Sequence, residues 1–161
     1  MKVFSLFSVC LILMAIAFPF GAGAAPAYDG GTTFSEVEGR EWILSEVRTA
    51  GRTIPMDRVK LEADGLGGVY TITFQAAGQV NGMGAPNRYF GPYSVGANRA
   101  LTLGNVAHTL MIAFREPDGL KEFEYFTYLS RVVRWDIRGG KLELYSSDDK
   151  GTEGILVFDR L

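Results

Sequence analysis

GLKEFEYFTYLSRVVRWDIRGGKLELY, residues 119–145, contains the change of period that decides the fold. In its first half, Phe123, Phe126, Leu129 and Val133 recur at helical spacing, with Leu120 one turn earlier and Pro117-Asp118 as a stop-start signal. Tyr125, Tyr128 and Val132 form a second stripe beside the first, so the helix is apolar over much of its circumference and is expected to be wrapped by sheet. After Ser130 the period falls to two. Val133, Trp135 and Ile137 then face one way, and Arg134, Asp136 and Arg138 the other. Gly139-Gly140 reads as a two-residue hairpin turn into KLELY.

Working outward, the C-terminal side continues the sheet: Ser147-Asp148-Asp149-Lys150-Gly151 is a turn, and GILVF is the last strand. On the N-terminal side, REWILSEV fits a half-buried first strand with Trp42 and Leu44 inward, and Arg48 to Gly68 reads as a long polar connection. VYTITF is the clearest strand, with Tyr70, Ile72 and Phe74 on one face. Ala76-Ala77-Gly78 returns it into Gln79-Val80, and Gly96-Ala97-Asn98 joins Tyr93–Val95 to Leu101–Leu103. The sum is an α+β fold, a curved antiparallel sheet of about eight short strands around one principal helix.

The chain has 161 residues, a formal net charge of −2 and a single cysteine, Cys10. Lys2, the apolar run Val3–Phe20 and the small residues Gly21–Ala25 form the pattern of a secretory signal over residues 1–24. Cleavage is expected after Ala24, with Ala25-Pro26-Ala27 as the second choice. Residues 25–38 read as a flexible mature N-terminus around Asp29-Gly30-Gly31. Cys10 precedes the place of a lipid-anchor cysteine, so the mature chain is expected to be secreted or periplasmic, thiol-free and without a membrane span. Its charge argues against a nucleic-acid partner.

NGMGAPNRYFGPY, residues 81–93, is too broken for regular structure and too aromatic for a linker. Glycines 82, 84 and 91 admit backbone angles closed to other residues, while Pro86 and Pro92 fix others. The favoured reading is a defined bend between strands, pinned by Tyr89, Phe90 and Tyr93. The functional reading makes Asn87, Arg88 and Tyr89 a recognition patch on a loop.

No catalytic residue, metal site or cofactor motif stands out. His108 is the only histidine and lacks a nucleophile elbow to serve, and a zinc site needs more ligands than the chain owns. Glu122 and Glu124 point to different faces of the helix, and Asp148-Asp149 lacks calcium-loop spacing. Arg134, Asp136 and Arg138, with Arg131 nearby, read as an outward, solvated row rather than an anion site. Tyr125 and Tyr128 read first as core and second as an exposed interaction stripe.

The order of these pieces resembles the META domain, the family of the bacterial heat-shock protein HslJ, over nearly all of Gly39 to Phe158, within a domain read as residues 39–161. The matching residues are Trp42 and Leu44, the strand ending at Phe74, Gly78 leading to Gly82, Asn87-Arg88-Tyr89, Gly91-x-Tyr93, Leu101-x-Leu103, Thr109-x-Met111, Glu122 before Tyr125-Phe126 and Leu129, and the closing LELY and ILVF. The resemblance makes Gly82, Asn87, Gly91, Tyr93 and Glu122 the structural motif, with Glu122 satisfying a backbone group or an arginine near the helix start. Two cysteines frequent in the family are absent: Ala85-Pro86 and Ala113-Phe114 stand there instead. The resemblance implies an exported protein without established enzymatic activity, from a family linked with stress response and virulence.

The expected function is therefore non-catalytic, through contacts with an unidentified protein or envelope component. A small apolar-ligand carrier, with a pocket between sheet and helix lined by Phe74 and Trp135, is the alternative. A hydrolase is the third.

Overall fold

The computed structural model describes residues 33–151 and 153–161; the expected signal segment and the linker as far as residue 32 lie outside them. The described residues form an α+β fold dominated by antiparallel sheet and nearly barrel-shaped. The strands are β1 (Glu41–Thr49), β2 (Arg52–Pro55), β3 (Thr71–Gln75), β4 (Gln79–Met83), β5 (Arg88–Val95), β6 (Leu101–Leu103), β7 (Ala107–His108), β8 (Val132–Arg138), β9 (Lys141–Ser147) and β10 (Glu153–Arg160). The helices are α1 (Arg58–Ala63) and α2 (Glu122–Ser130). The main path runs β6-β5-β4-β3-β1-β10-β9-β8, with β2 paired to β1 and β7 to β5. A bridge between Ala100 and Arg134 brings the two ends of that path together.

The turns follow the sequence chemistry. Gly78, Gly139 and Gly140 adopt φ of 73°, 58° and 78°, the left-handed region that a Cβ disfavours. Val95 pairs with Leu101 across the short 3-10 turn Ala97–Arg99.

Four expectations are corrected. The connection from Arg48 to Gly68 contains β2 and α1. Helix α1 starts at an Asp57 side chain that accepts the Lys60 N–H at 3.0 Å, and its Arg58 donates to the carbonyls of Leu44 and Val69. Burial lowers the Arg58 pKa from the usual arginine value.

Residues 34–38, read as linker, are folded: Val37 is fully buried, and Phe34 lies 5.3 Å from Phe74, 5.5 Å from Tyr93 and 5.0 Å from Trp135, ring centre to ring centre.

Helix α2 turns Tyr125 and Leu129 inward and leaves Phe123 exposed, because tertiary contacts select the mixed stripe that carries the tyrosine. It stops at Ser130, so Val133 belongs to β8, where a register shift between Val132 and Arg134 buries Val132 and exposes Val133.

Asp136 keeps the expected face, away from Trp135, yet is buried rather than solvated, because Arg99, Arg138 and Glu143 surround it. Asp136 sits opposite Glu143, a pairing of like charges that is unfavourable alone. Arginines neutralise it. Arg99 pairs with Asp136 Oδ1, and Arg138 Nε lies 3.0 Å from Asp136 Oδ2 and 3.5 Å from Glu143 Oε2. Arg48 Nη1 lies 3.0 Å from Glu143 Oε1, and the Tyr145 hydroxyl donates to Oε2 at 2.6 Å.

Candidate functional site

The 81–93 stretch is mostly strand. Residues 81–83 finish β4 and residues 88–93 lie in β5, so the joint is only Gly84-Ala85-Pro86-Asn87, with a cis bond before Pro86. Its glycines serve close approach, not unusual backbone angles, since φ at 82, 84 and 91 is not positive. A Cβ on Gly82 would lie 2.0 Å from the Thr71 carbonyl oxygen and 2.6 Å from the Tyr89 hydroxyl. One on Gly84 would lie 2.5 Å from Glu122 Oε1, and one on Gly91 3.0 Å from the Asn105 carbonyl oxygen.

The three residues read as a recognition patch diverge. Asn87 is buried and uses its whole amide: Oδ1 accepts from Met111 N–H at 2.7 Å and Thr109 Oγ1 at 2.8 Å, while Nδ2 donates to Glu122 Oε2 at 2.6 Å and the Met111 carbonyl at 3.2 Å. Tyr89 is buried, and its hydroxyl donates to the Thr71 carbonyl at 2.9 Å with the Tyr125 hydroxyl 3.1 Å away. Burial pushes the pKa of both phenols well above the ordinary tyrosine value. Only Arg88 is exposed, and its backbone exchanges hydrogen bonds with Thr109.

Glu122 is the anchor. Its Oε1 accepts the Ala85 N–H at 2.6 Å and the Asn87 N–H at 2.7 Å, which satisfies the joint from the first turn of α2. Glu124 has a separate task, accepting the Lys121 N–H at 2.7 Å to cap the same helix. The Tyr93 hydroxyl lies 2.6 Å from Glu38 Oε1 and 2.9 Å from the Gln75 carbonyl oxygen, which share its one proton. His108 is exposed, with its ring stacked on Phe126 at 4.8 Å.

What this clamp presents is the segment around Thr109-x-Met111, which carried no functional expectation. Asn87 grips Thr109 and Met111, and around them Leu110 is 89% exposed, Ile112 86%, Met111 61% and Phe114 fully exposed. Such a run is unusual on a surface not meant for contact. Its composition is that of a buried strand, so no local pattern distinguishes it; only the absence of a covering layer does.

Among the described residues no three acids, histidines or cysteines are grouped to hold a metal ion, and no helix is long and apolar enough to cross a membrane. The Asp136–Glu143 pair gathers titratable groups, but each of its carboxylate oxygens is engaged by donors of the chain itself.

The META domain family model matches residues 35–155. Among solved structures, an NMR structure of a protein from Burkholderia xenovorans is 24% identical, covering 90% of this chain and 97% of its own, with a TM-score of 0.60. A crystal structure of a DUF4847 family protein from Bacteroides vulgatus is 13% identical, covering 78% of this chain and 95% of its own, with a TM-score of 0.53. At these identities the likeness is one of fold. No curated protein matches the chain.

Proposed function

The chain belongs to the META domain family, and we propose that it is an exported, non-catalytic binding module whose working surface is the apolar loop from Thr109 to Phe114. One observation carries this reading: Leu110, Ile112 and Phe114 are almost wholly exposed, although the backbone at Met111, among them, is tied to the core through buried Asn87. Apolar side chains on a fixed backbone lose little conformational freedom when a partner covers them. The signal pattern over residues 1–24 supports a partner in or beyond the envelope.

The test is retention on washed envelope material. The wild-type chain is expected to be retained and the triple variant Leu110→Ser/Ile112→Ser/Phe114→Ser to wash off while melting normally. Equal retention of the two removes the loop from the account.

The small-ligand carrier stands second on a separate observation. Trp135 Nε1 is buried without an acceptor among the described residues, beside Phe34. A co-purifying small molecule, released on denaturation and absent from Trp135→Phe, is the outcome that this reading requires.

A further inference from the structure

Resting on the loop reading above, we infer that the partner of the 109–114 loop is the interfacial region of a lipid bilayer. The first ground is shape. Leu110, Ile112 and Phe114 stand almost wholly clear of their own surface. A bilayer interface accepts protruding apolar tips without a complementary pocket.

The second ground is backbone satisfaction. Polar groups that leave water need partners, and at the middle of the loop both the Met111 N–H and its carbonyl are held by the Asn87 amide, while the Thr109 N–H donates to the Arg88 carbonyl. The loop centre therefore enters the headgroup region with those groups already paired.

The third ground is charge. Arg88 and Phe90 lie two apart on β5 and are both exposed, so a cation and a ring flank the strand face beside β7, which leads into the loop. Arg115 follows Phe114, and Lys121 stands just before α2. Arg115 pairs with Asp64 at 2.7 Å and Lys121 with Glu116 at 3.3 Å. Arg88 makes no ion pair among the described residues and is left for a headgroup phosphate. Insertion of apolar side chains, assisted by one guanidinium, predicts binding to zwitterionic vesicles that strengthens when anionic lipid is added.

The experiment places a reporter in the loop. Ile112→Trp, purified as the full chain with its processed N-terminus checked by mass spectrometry, is mixed with phosphatidylcholine vesicles or equimolar phosphatidylcholine and phosphatidylglycerol vesicles. The added indole is expected to shift blue and to be quenched by lipids brominated high on the acyl chain. Leu110→Ser/Phe114→Ser in the same background is expected to lower the partition coefficient roughly tenfold or more. Arg88→Gln is expected to lose severalfold on the anionic vesicles alone. An indole at residue 112 that neither shifts nor quenches on either vesicle overturns the inference. If the triple serine variant still loses envelope retention in that case, the loop reading survives with a protein partner. If retention is also unchanged, both readings fall.

Discussion

The Glu122 carboxylate holds Asn87 at two points, Oε1 accepting its backbone N–H at 2.7 Å and Oε2 its side-chain amide at 2.6 Å. One residue of α2 thus sets both the chain path and the side-chain direction of the joint between β4 and β5. Because the far side of the same amide holds Met111, the pair also links the helix to the exposed loop.

Asn87→Ala removes that link and strands several buried groups, including a carboxylate oxygen. The expected loss is roughly 2–4 kcal/mol, read by urea unfolding. A loss below about 0.5 kcal/mol contradicts the clamp.

Glu122→Gln keeps the shape but leaves one acceptor oxygen for three donors on two sites, so an NH₂ group must face either Asn87 Nδ2 or, flipped, the Ala85 and Asn87 N–H groups. It is expected to cost about 1.5–3 kcal/mol, and faster hydrogen exchange at the Ala85 and Asn87 amides should accompany it. An unchanged unfolding free energy would show that the carboxylate is not holding these three donors.

Gly82→Ala is expected to destabilise by about 3 kcal/mol or more, since the new methyl meets the Thr71 carbonyl at 2.0 Å and backbone cannot step aside cheaply. Gly68→Ala is the matched control, because a Cβ there meets nothing within 4 Å and its φ is not positive. Equal melting temperatures for the two variants refute the close-approach argument.

Tyr89 and Tyr125 give the domain an alkaline limit. Their folded pKa values are raised by burial, so above pH of roughly 10 the unfolded chain has released protons that the native chain still holds. The stability these two hydroxyls contribute is complete below that pH and declines as pH rises, by about 1.4 kcal/mol per pH unit for each. Phenolate absorbance should therefore gain a late component that coincides with loss of structure, smaller in Tyr89→Phe. Two fully exposed-like titrations before unfolding would contradict it.

Asp136→Asn is expected to cost about 1–3 kcal/mol, because Arg99 and Arg138 lose their carboxylate partner, a loss that outweighs the relief of repulsion with Glu143. A double-mutant cycle with Arg138→Met, read by thermal unfolding, should show coupling. Additive losses would mean that the two do not act together.

The local chemistry of the chain was enough to place the α+β class, α2, most strands and the hairpin glycines 78, 139 and 140, because period, turn residues and breakers act over a few neighbours. The family resemblance rested on the order of those pieces, and the match over residues 35–155 agrees with it. Glu122 could be marked as a motif residue, but the N–H donors it accepts from lie more than thirty positions away, at Ala85 and Asn87, where no local rule reaches. The inward stripe of α2, the buried Asp136 and the packing of Phe34 were settled by what each meets across the fold. The same holds for the exposed loop: Leu110, Ile112 and Phe114 have core composition, and their exposure follows because the sheet and helices leave nothing to cover them. Hydrophobicity along a chain states what a residue gains by burial; only the closed tertiary arrangement decides which residues obtain it.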